Sequence, residues 1–447
     1  MQLRPIVPTA YLALTLLFGP SAARAQYKVT NLVSNQKGTA VTFDPRLVDP
    51  WGLARKPSGD WWVDDADSGW STAYTFKGVI EPNALVFIPA ASGVGSGSPT
   101  GIVYNGSLSE FTINGAYTRF LFATLGGTIN GGTPIGGLCC TAPAVVTNPG
   151  ASYTGLAISS NLSGNLLFAA DQANNKVDVY DGAFNFVSSF TDTTLPAGFA
   201  PFGIQDIGGQ VYVTFASTYG FAGGFIDIFS ESGRLLRRLT DDPHLNQPWG
   251  LVMAPSDFGP FSNTLLVSNN TSSGTINAFN AVNGHFVGTM MNTNNEEIQL
   301  NGLWGIAFGD GLGQPDLTDN GATNQLFFAA GPDDPNSKVA SLFGVITFGN
   351  TTSTPVIRPA GGTYTNPQTV AITDAFKAVI YYTTDGSTPT TASTVYSGPI
   401  TVSANETVQA VALAPGYSLS AVATDPSTPP RPPPISPETG ALHDSVP

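Results

Sequence analysis

Aromatic and polar side chains recur at two matched positions along this chain, and they are the residues with which it could bind a ligand. Three tryptophans, Trp51, Trp249 and Trp304, each precede a glycine at the start of a short apolar run. Carboxylate and amide residues close the apolar run that follows, namely Asp64 and Asp65, Asp171, Asn269 and Asn270, and Asp333 and Asp334. Oxygen ligands of this kind bind calcium, and aromatic walls with a few polar groups are typical of small-molecule pockets.

If the fold brings these positions together, they form one site for a ligand or a cation. The candidate ligand-binding residues are Trp51, Asp64, Asp65, Asp171, Trp249, Asn269, Asn270, Trp304 and Asp333. The alternative role is structural: the Trp–Gly pairs would separate neighbouring sheets, and the Asp and Asn side chains would cap turns. The sequence alone leaves both roles open.

The tryptophan–glycine pairs belong to a repeat of about 50 residues, which determines the architecture. An aromatic or small residue precedes each of the glycines Gly52, Gly101, Gly155, Gly203, Gly250 and Gly305, and a short apolar strand follows each of them. A second apolar strand, a polar turn and an alternating third strand come next, as at 176–180. Four antiparallel strands in about 40–50 residues are typical of a propeller blade. The sequence therefore predicts an all-β fold with a six-bladed β-propeller.

The two ends of the repeat region complement each other. The sixth unit ends after its third strand at 342–347, whereas an apolar strand at 27–33 precedes the first unit without partners of its own. We expect the N-terminal strand to become the outer strand of the last blade, which closes the ring. A stacked solenoid with separate capping units is the alternative. In a closed ring the candidate residues gather on one face, at the mouth of the central channel.

Residues 27–349 resemble propellers of the NHL/YVTN type and, more closely, an uncharacterised family of secreted bacterial six-bladed propellers. The segments that carry this resemblance are 30–34, 44–45, 50–52, 155–157, 302–305 and 342–346. It implies the fold and no activity.

Enzymes on similar propellers need residues that are scarce here. Gluconolactonase-like propellers hold a metal with Glu, Asn and Asp, and streptogramin-lyase-like propellers use a histidine base. The glutamates and histidines of the propeller region are Glu81, Glu110, Glu231, Glu296, Glu297, His244 and His285, and none lies at the strand positions above. No Gly-x-Ser-x-Gly or His-Glu-x-x-His motif occurs. The sequence therefore favours a binding protein over an enzyme.

A second module follows a linker at 350–354. Short strand-like runs over 355–425, separated by turns such as that at Asp385 and Gly386, indicate a small Ig-like β-sandwich. The segments 381–390, 396–400 and 414–417 resemble the chitobiase/β-hexosaminidase C-terminal domain, which is similar to a sandwich of family 29 glycoside hydrolases. In such enzymes the module is an accessory, so the resemblance implies glycan-rich extracellular surroundings and no hydrolase activity.

The termini and the charge indicate an exported protein. Arg4, an apolar stretch and the small residues Ala23 and Ala25 are typical of a signal peptide over 1–25, which leaves the propeller at 26–349. A Pro-rich tail occupies 426–447. The net charge of −14 disfavours nucleic acid, and no later apolar run is long enough to span a bilayer. We expect a secreted protein, extracellular or periplasmic.

Two local features remain open. Cys139 and Cys140 are adjacent, and they could form a vicinal disulfide, stay reduced or pair with another chain. The acidic, Gly-rich insertion at 310–321 could bind calcium, although its spacing differs from that of an EF-hand loop. No other cofactor is indicated.

The sequence predicts an exported binding or interaction protein, with the propeller as a rigid platform for a glycan or protein ligand. Two alternatives remain. One is a metal-assisted lyase or lactonase that acts at the propeller mouth, and the other is a structural component of a cell surface or matrix.

Overall fold

A computed structural model describes residues 27–57, 59–132, 140–161, 164–311, 320–332, 337–348, 352–362, 364, 366–374, 378–414 and 419–427. The predicted signal peptide, Cys139, Asp333 and Asp334, most of the 310–321 insertion and residues 428–447 lie outside these ranges. The regular secondary structure of the described residues consists of β-strands and one 3-10 turn at Gly259–Phe261.

Six antiparallel sheets follow the six repeats, and each has its glycine-containing strand at one edge, as predicted. Blade 1 contains Pro50–Arg55, Trp61–Asp65, Trp70–Tyr74 and Ile80–Phe87; blade 2 contains Pro99–Tyr104, Phe120–Thr124, Thr128–Gly132 and Ala144–Thr147. Blade 3 contains Tyr153–Asn161, Gly164–Asp171, Lys176–Asp181 and Phe186–Phe190; blade 4 contains Phe199–Asp206, Gln210–Ser217, Gly224–Ser230 and Leu235–Thr240. Blade 5 contains Pro248–Met253, Thr264–Asn269, Ile276–Asn280 and Phe286–Thr289; blade 6 contains Leu303–Phe308, Gln325–Ala330, Leu342–Phe348 and Tyr27–Ser34.

Short strands extend two of these sheets. Cys140–Thr141 pairs in parallel with the outer strand of blade 1, and Thr42–Phe43 pairs in parallel with Tyr27–Ser34. A small hairpin, Thr112–Ile113 with Ala116–Tyr117, lies within the connection between the first two strands of blade 2.

The N-terminal strand completes the last blade, which confirms the predicted closure. Tyr27–Ser34 runs antiparallel to Leu342–Phe348, with Tyr27 opposite Phe348. The Tyr27 ring is fully buried against Phe258, Phe261 and Phe348, and its hydroxyl donates to the Phe258 carbonyl at 2.9 Å. One strand therefore joins the start of the chain to both blade 6 and blade 5.

The repeat glycines show why the sheets form a ring. Each glycine packs against the innermost strand of the next blade, so close that a side chain has no room. A Cβ atom at Gly203 would lie 1.9 Å from the carbonyl oxygen of Trp249 in blade 5. At Gly305 of blade 6 it would lie 2.6 Å from the carbonyl oxygen of Trp51 in blade 1. Contact thus passes from blade to blade and returns to the first, unlike in a stacked solenoid.

Apolar residues fill the space between neighbouring blades. Between blades 6 and 1, for example, Trp61 and Tyr74 pack against Phe327 and Phe343, and all four are fully buried. Burial of one large apolar side chain stabilises a fold by about 1.5–3 kcal/mol, so these wedges hold the blades at fixed angles around the axis.

The second module is a small β-sandwich, as predicted. One sheet contains Val356–Arg358, Gln368–Thr373 and Ile400–Val402, and the other contains Thr394–Val395, Val379–Thr383, Glu406–Leu413 and Ala423–Ser427. Ile372, Ile380 and Val408 belong to the core between the two sheets.

Candidate functional site

The three predicted tryptophans meet at one end of the propeller axis. The indoles of Trp51 and Trp304 stack with ring centroids 3.4 Å apart and 17° between their planes. Trp249 stands edge-on to both, at 86° and 88°, and the Phe202 ring completes the group. Trp51 and Trp304 are 6% and 1% exposed. We call these four residues the indole plug, because they close this end of the channel.

Two blades make room for the plug by carrying threonine at the same repeat position. Thr100 Oγ1 donates to the Tyr153 carbonyl at 2.7 Å, and Thr154 Oγ1 donates to the Phe202 carbonyl at 2.8 Å. Each of these hydrogen bonds joins one blade to the next. Trp249 Nε1 of blade 5 donates to the Thr154 carbonyl of blade 3 at 2.9 Å, so the plug connects two blades that are not adjacent.

Four of the predicted carboxylate and amide residues lie at strand ends and are buried, namely Asp64, Asp65, Asp171 and Asn269. Asp171 is fully buried and accepts hydrogen bonds from Ser152 N at 3.1 Å and Asn174 Nδ2 at 2.7 Å. Asn269 is 4% exposed, and its amide donates to the His244 carbonyl at 2.8 Å.

Asn270, next to Asn269, is half-buried, and Asp333 lies outside the described residues. The structure thus brings the tryptophans together, whereas the described Asp and Asn residues of this set belong to three different blades. Their role in ligand binding stays a prediction.

Asp64 and Asp65 are fully buried neighbours on one strand, on opposite faces of blade 1. Asp65 Oδ2 accepts from Thr72 Oγ1 at 2.8 Å, and Ser71 is the hydroxyl residue beside the Asp64 carboxyl. Burial raises the pKa of both carboxyls well above the usual range. Burial of this kind favours the neutral form of a carboxyl group over the charged form.

An open cavity occupies the rest of the axis. Its volume is about 450 Å³, within the range of small-molecule sites, and Trp249 of the indole plug forms part of its wall. The residue after each repeat glycine lines it, so that one branched aliphatic side chain comes from every blade. This aliphatic ring consists of Leu53, Ile102, Leu156, Ile204, Leu251 and Ile306.

The channel wall also offers backbone hydrogen-bonding groups. Every innermost strand is the edge of its sheet, so half of its N–H and C=O groups face the axis rather than a neighbouring strand. A ligand in the cavity would therefore meet apolar side chains and regularly spaced donors and acceptors.

The mouth of this cavity lies on the face opposite the indole plug and contains polar residues that sequence reasoning missed. The third residue after each repeat glycine lines the cavity, and these residues are Arg55, Tyr104, Ile158, Asp206, Met253 and Phe308. Gln205, which also lines it, is exposed. This spacing from the glycine is the signal that could have identified them.

The two charged side chains at the mouth, Arg55 and Asp206, differ in their hydrogen-bond and charge partners. Arg55 Nη1 lies 2.8 Å from Asp310 Oδ2, and its Nε donates to the Phe308 carbonyl at 3.0 Å. Asp206 Oδ1 accepts from Gly209 N at 3.3 Å, while its Oδ2 is buried without a hydrogen-bond partner in the described part of the chain. Burial and the charge of Glu231 raise the pKa of Asp206, against the effect of the Gly209 N–H.

The ranges that the structure describes contain no group of three His, Cys, Asp or Glu side chains able to hold a metal ion. They also contain no helix long and apolar enough to cross a membrane. The predicted calcium loop falls largely outside these ranges.

Comparison with known proteins supports the assignment of the second module. Residues 359–424 match the family model of the chitobiase/beta-hexosaminidase C-terminal domain. Among solved structures, a streptogramin B lyase superposes with a TM-score of 0.45 at 14% identity, covering 72% of this chain and 97% of the other. The Dos1 propeller superposes with a TM-score of 0.39 at 12% identity, covering 90% and 95%. These likenesses carry no functional argument.

Relatives at higher identity come from Acanthamoeba polyphaga mimivirus. Uncharacterized protein R648 is 31% identical over 345 residues, which are 71% of this chain and 80% of the relative. Uncharacterized protein L690 is 29% identical over 342 residues, which are 71% and 85%. The expected bacterial and secreted origin therefore stays a prediction, whereas the propeller is confirmed.

Proposed function

The chain belongs to the family of the mimivirus uncharacterized protein R648, and from its geometry we propose that it is a binding protein for a small, mainly apolar ligand. The ligand occupies the axial cavity and enters from the face opposite the indole plug. The observation that carries this proposal is the cavity itself: about 450 Å³, walled by one branched aliphatic residue from each blade and closed behind by buried indoles.

This location differs from the mouth that the tryptophans suggest in the sequence. The plug face offers buried rings and buried carboxyls, which leave no space for a ligand. At the other end, Gln205 of the innermost strand of blade 4 is exposed and lines the cavity. Binding within a rigid ring would need little rearrangement, which favours affinity.

The proposal can be tested with a neutral probe, 1-naphthalenemethanol, titrated into the full-length protein by calorimetry. We expect saturable binding. Gln205→Phe places a ring at the mouth without disturbing the core and should weaken binding at least about tenfold, a change of about 1.4 kcal/mol. Gln210→Phe is the matched control, because Gln210 is exposed in the same blade and does not line the cavity. Equal loss in both variants, or no binding of this probe or of charged probes with the same naphthyl body, would refute the proposal.

We also propose that the protein works outside the cytoplasm, with the sandwich at 355–425 as an accessory module. Ala23 and Ala25 before Gln26 support export. Expression of the full sequence in a secreting host, followed by mass measurement, should give a chain that starts at Gln26. An intact N-terminus on exported protein, or no export, would contradict this.

A further inference from the structure

We infer that the ligand of the axial cavity carries a cationic amine, which the Asp206 carboxylate binds at the mouth while the apolar body of the ligand fills the aliphatic ring. This inference rests on the proposed binding function and specifies its ligand class. It depends on how the charges at the mouth are satisfied.

Asp206 is the charged residue at the mouth that has an unsatisfied hydrogen-bond acceptor. Its Oδ2 is buried and has no partner within the described ranges, although the residue itself lines the cavity. A buried polar atom without a partner costs about 1–3 kcal/mol. Once the carboxyl group turns to bring Oδ2 to the cavity surface, a donor on a bound ligand would remove this cost, and a charged donor would gain most.

The surrounding charges favour a cation over an anion. Arg55, the cationic side chain among the cavity-lining residues, is engaged by Asp310 at 2.8 Å and by the Phe308 carbonyl. The Glu231 carboxylate adds negative potential near Asp206, a smaller effect than burial on the pKa of Asp206. The whole chain carries a net charge of −14, so its field also draws cations toward the surface.

The position of Asp206 suits a ligand with a polar end and an apolar body. Ile204 of the aliphatic ring lies two residues before Asp206 on the same strand, so both line the cavity from blade 4. Side chains two residues apart on a strand lie on the same side of it. An amine at Oδ2 would therefore hold an attached ring or alkyl group toward Ile204 and the plug.

Three probes with the same naphthylmethyl body test this assignment. They are the amine 1-naphthylmethylamine, the alcohol 1-naphthalenemethanol and the carboxylate 1-naphthaleneacetate. With the wild-type protein at neutral pH, we expect the amine to bind about tenfold to a hundredfold more tightly than the alcohol, the range expected for a hydrogen bond to a charged group. The carboxylate should bind more weakly than the alcohol.

The variants Asp206→Asn and Asp241→Asn separate a local contact from net charge. Asp241 is exposed and follows the outer strand of the same blade, at the plug face. Asp206→Asn should abolish the preference for the amine while alcohol binding persists, and Asp241→Asn should retain it. Thermal melting of both variants checks that they fold.

The outcomes distinguish the two proposals. If the alcohol binds and the amine binds no better, or if Asp206→Asn keeps the preference, the amine assignment is wrong and the binding function stands. If none of the three probes binds, the binding function fails and the assignment fails with it.

Discussion

Trp51 and Trp304, the aromatic residues of the first and last repeat, stack face to face with their ring centroids 3.4 Å apart. Blades 1 and 6, which become neighbours when the ring closes, thus also contribute the two stacked indoles at the axis. The buried indoles close one end of the channel. Within the described part of the chain, a ligand can therefore enter the axial cavity from the other end.

Removal of one plug ring should destabilise the whole propeller. Trp304 is 1% exposed and contacts Trp51, Trp249 and Phe202, so Trp304→Ala should lower the free energy of unfolding by about 3–5 kcal/mol. Urea unfolding followed by circular dichroism measures this. Phe186→Ala, at a ring that is 58% exposed, should change it by less than about 1 kcal/mol. Similar losses in both variants would argue against a packed plug.

The repeat glycines should tolerate no side chain. Gly203→Ala would place Cβ 1.9 Å from the Trp249 carbonyl oxygen, which is backbone and cannot turn aside. We expect a loss of about 3 kcal/mol or more in the free energy of unfolding. Gly126→Ala is the control, since its nearest neighbour would be Thr124 Oγ1 at 3.7 Å, and its effect should stay within about 1 kcal/mol. A stable Gly203→Ala protein would contradict the close contact between blades 4 and 5.

The closing strand should contribute through Tyr27. Tyr27→Phe removes the hydrogen bond to the Phe258 carbonyl and should cost about 1 kcal/mol. Tyr27→Ala also removes the contacts with Phe258, Phe261 and Phe348 and should cost about 3–5 kcal/mol. Both values come from urea unfolding, with Val41→Ala, at a side chain 74% exposed, as the neutral reference. If Tyr27→Ala matched this reference, the N-terminal strand would not close the ring in solution.

The buried Asp227 should make stability depend on pH. Burial raises its pKa to about 7, with the Asp192 carboxylate acting in the same direction and Arg238 opposing both. The folded protein therefore binds this proton more tightly than the unfolded chain does, and the contribution to stability is lost as pH rises from about 4 to about 7.

Asp227→Asn cannot lose that proton, so its stability should fall less than that of the wild type over this interval. Chemical unfolding at a series of pH values gives both curves. Asp241→Asn, at an exposed position in the same region, should follow the wild-type curve. Parallel curves for wild type and Asp227→Asn would show that Asp227 is ionised throughout.

Much of the fold could be predicted because its determinants are local and repeated. The Gly203 and Gly305 positions, the apolar strands after them and the unpaired strand at 27–33 together indicate six blades and their closure. The convergence of Trp51, Trp249 and Trp304 followed from the same symmetry.

The open end of the channel could not be predicted in this way. Four large rings and two threonines at equivalent positions fill one end, and that outcome depends on packing across the axis between distant blades. Asp64 and Asp65, at a strand end of blade 1, are also fully buried. Asp206 was not among the predicted site residues. It lies at the far end of the innermost strand of blade 4, whereas the predicted tryptophans lie where such strands begin.

The most direct test of the axial site is a crystal structure of the protein soaked with 1-naphthylmethylamine. We expect the naphthyl ring on the axis among Leu53, Ile204 and Ile306, its amine at Asp206 Oδ2, and the Trp51 and Trp304 rings still stacked behind it. Ligand density at the indole face with the plug opened, or no density in the axial cavity, would contradict the account.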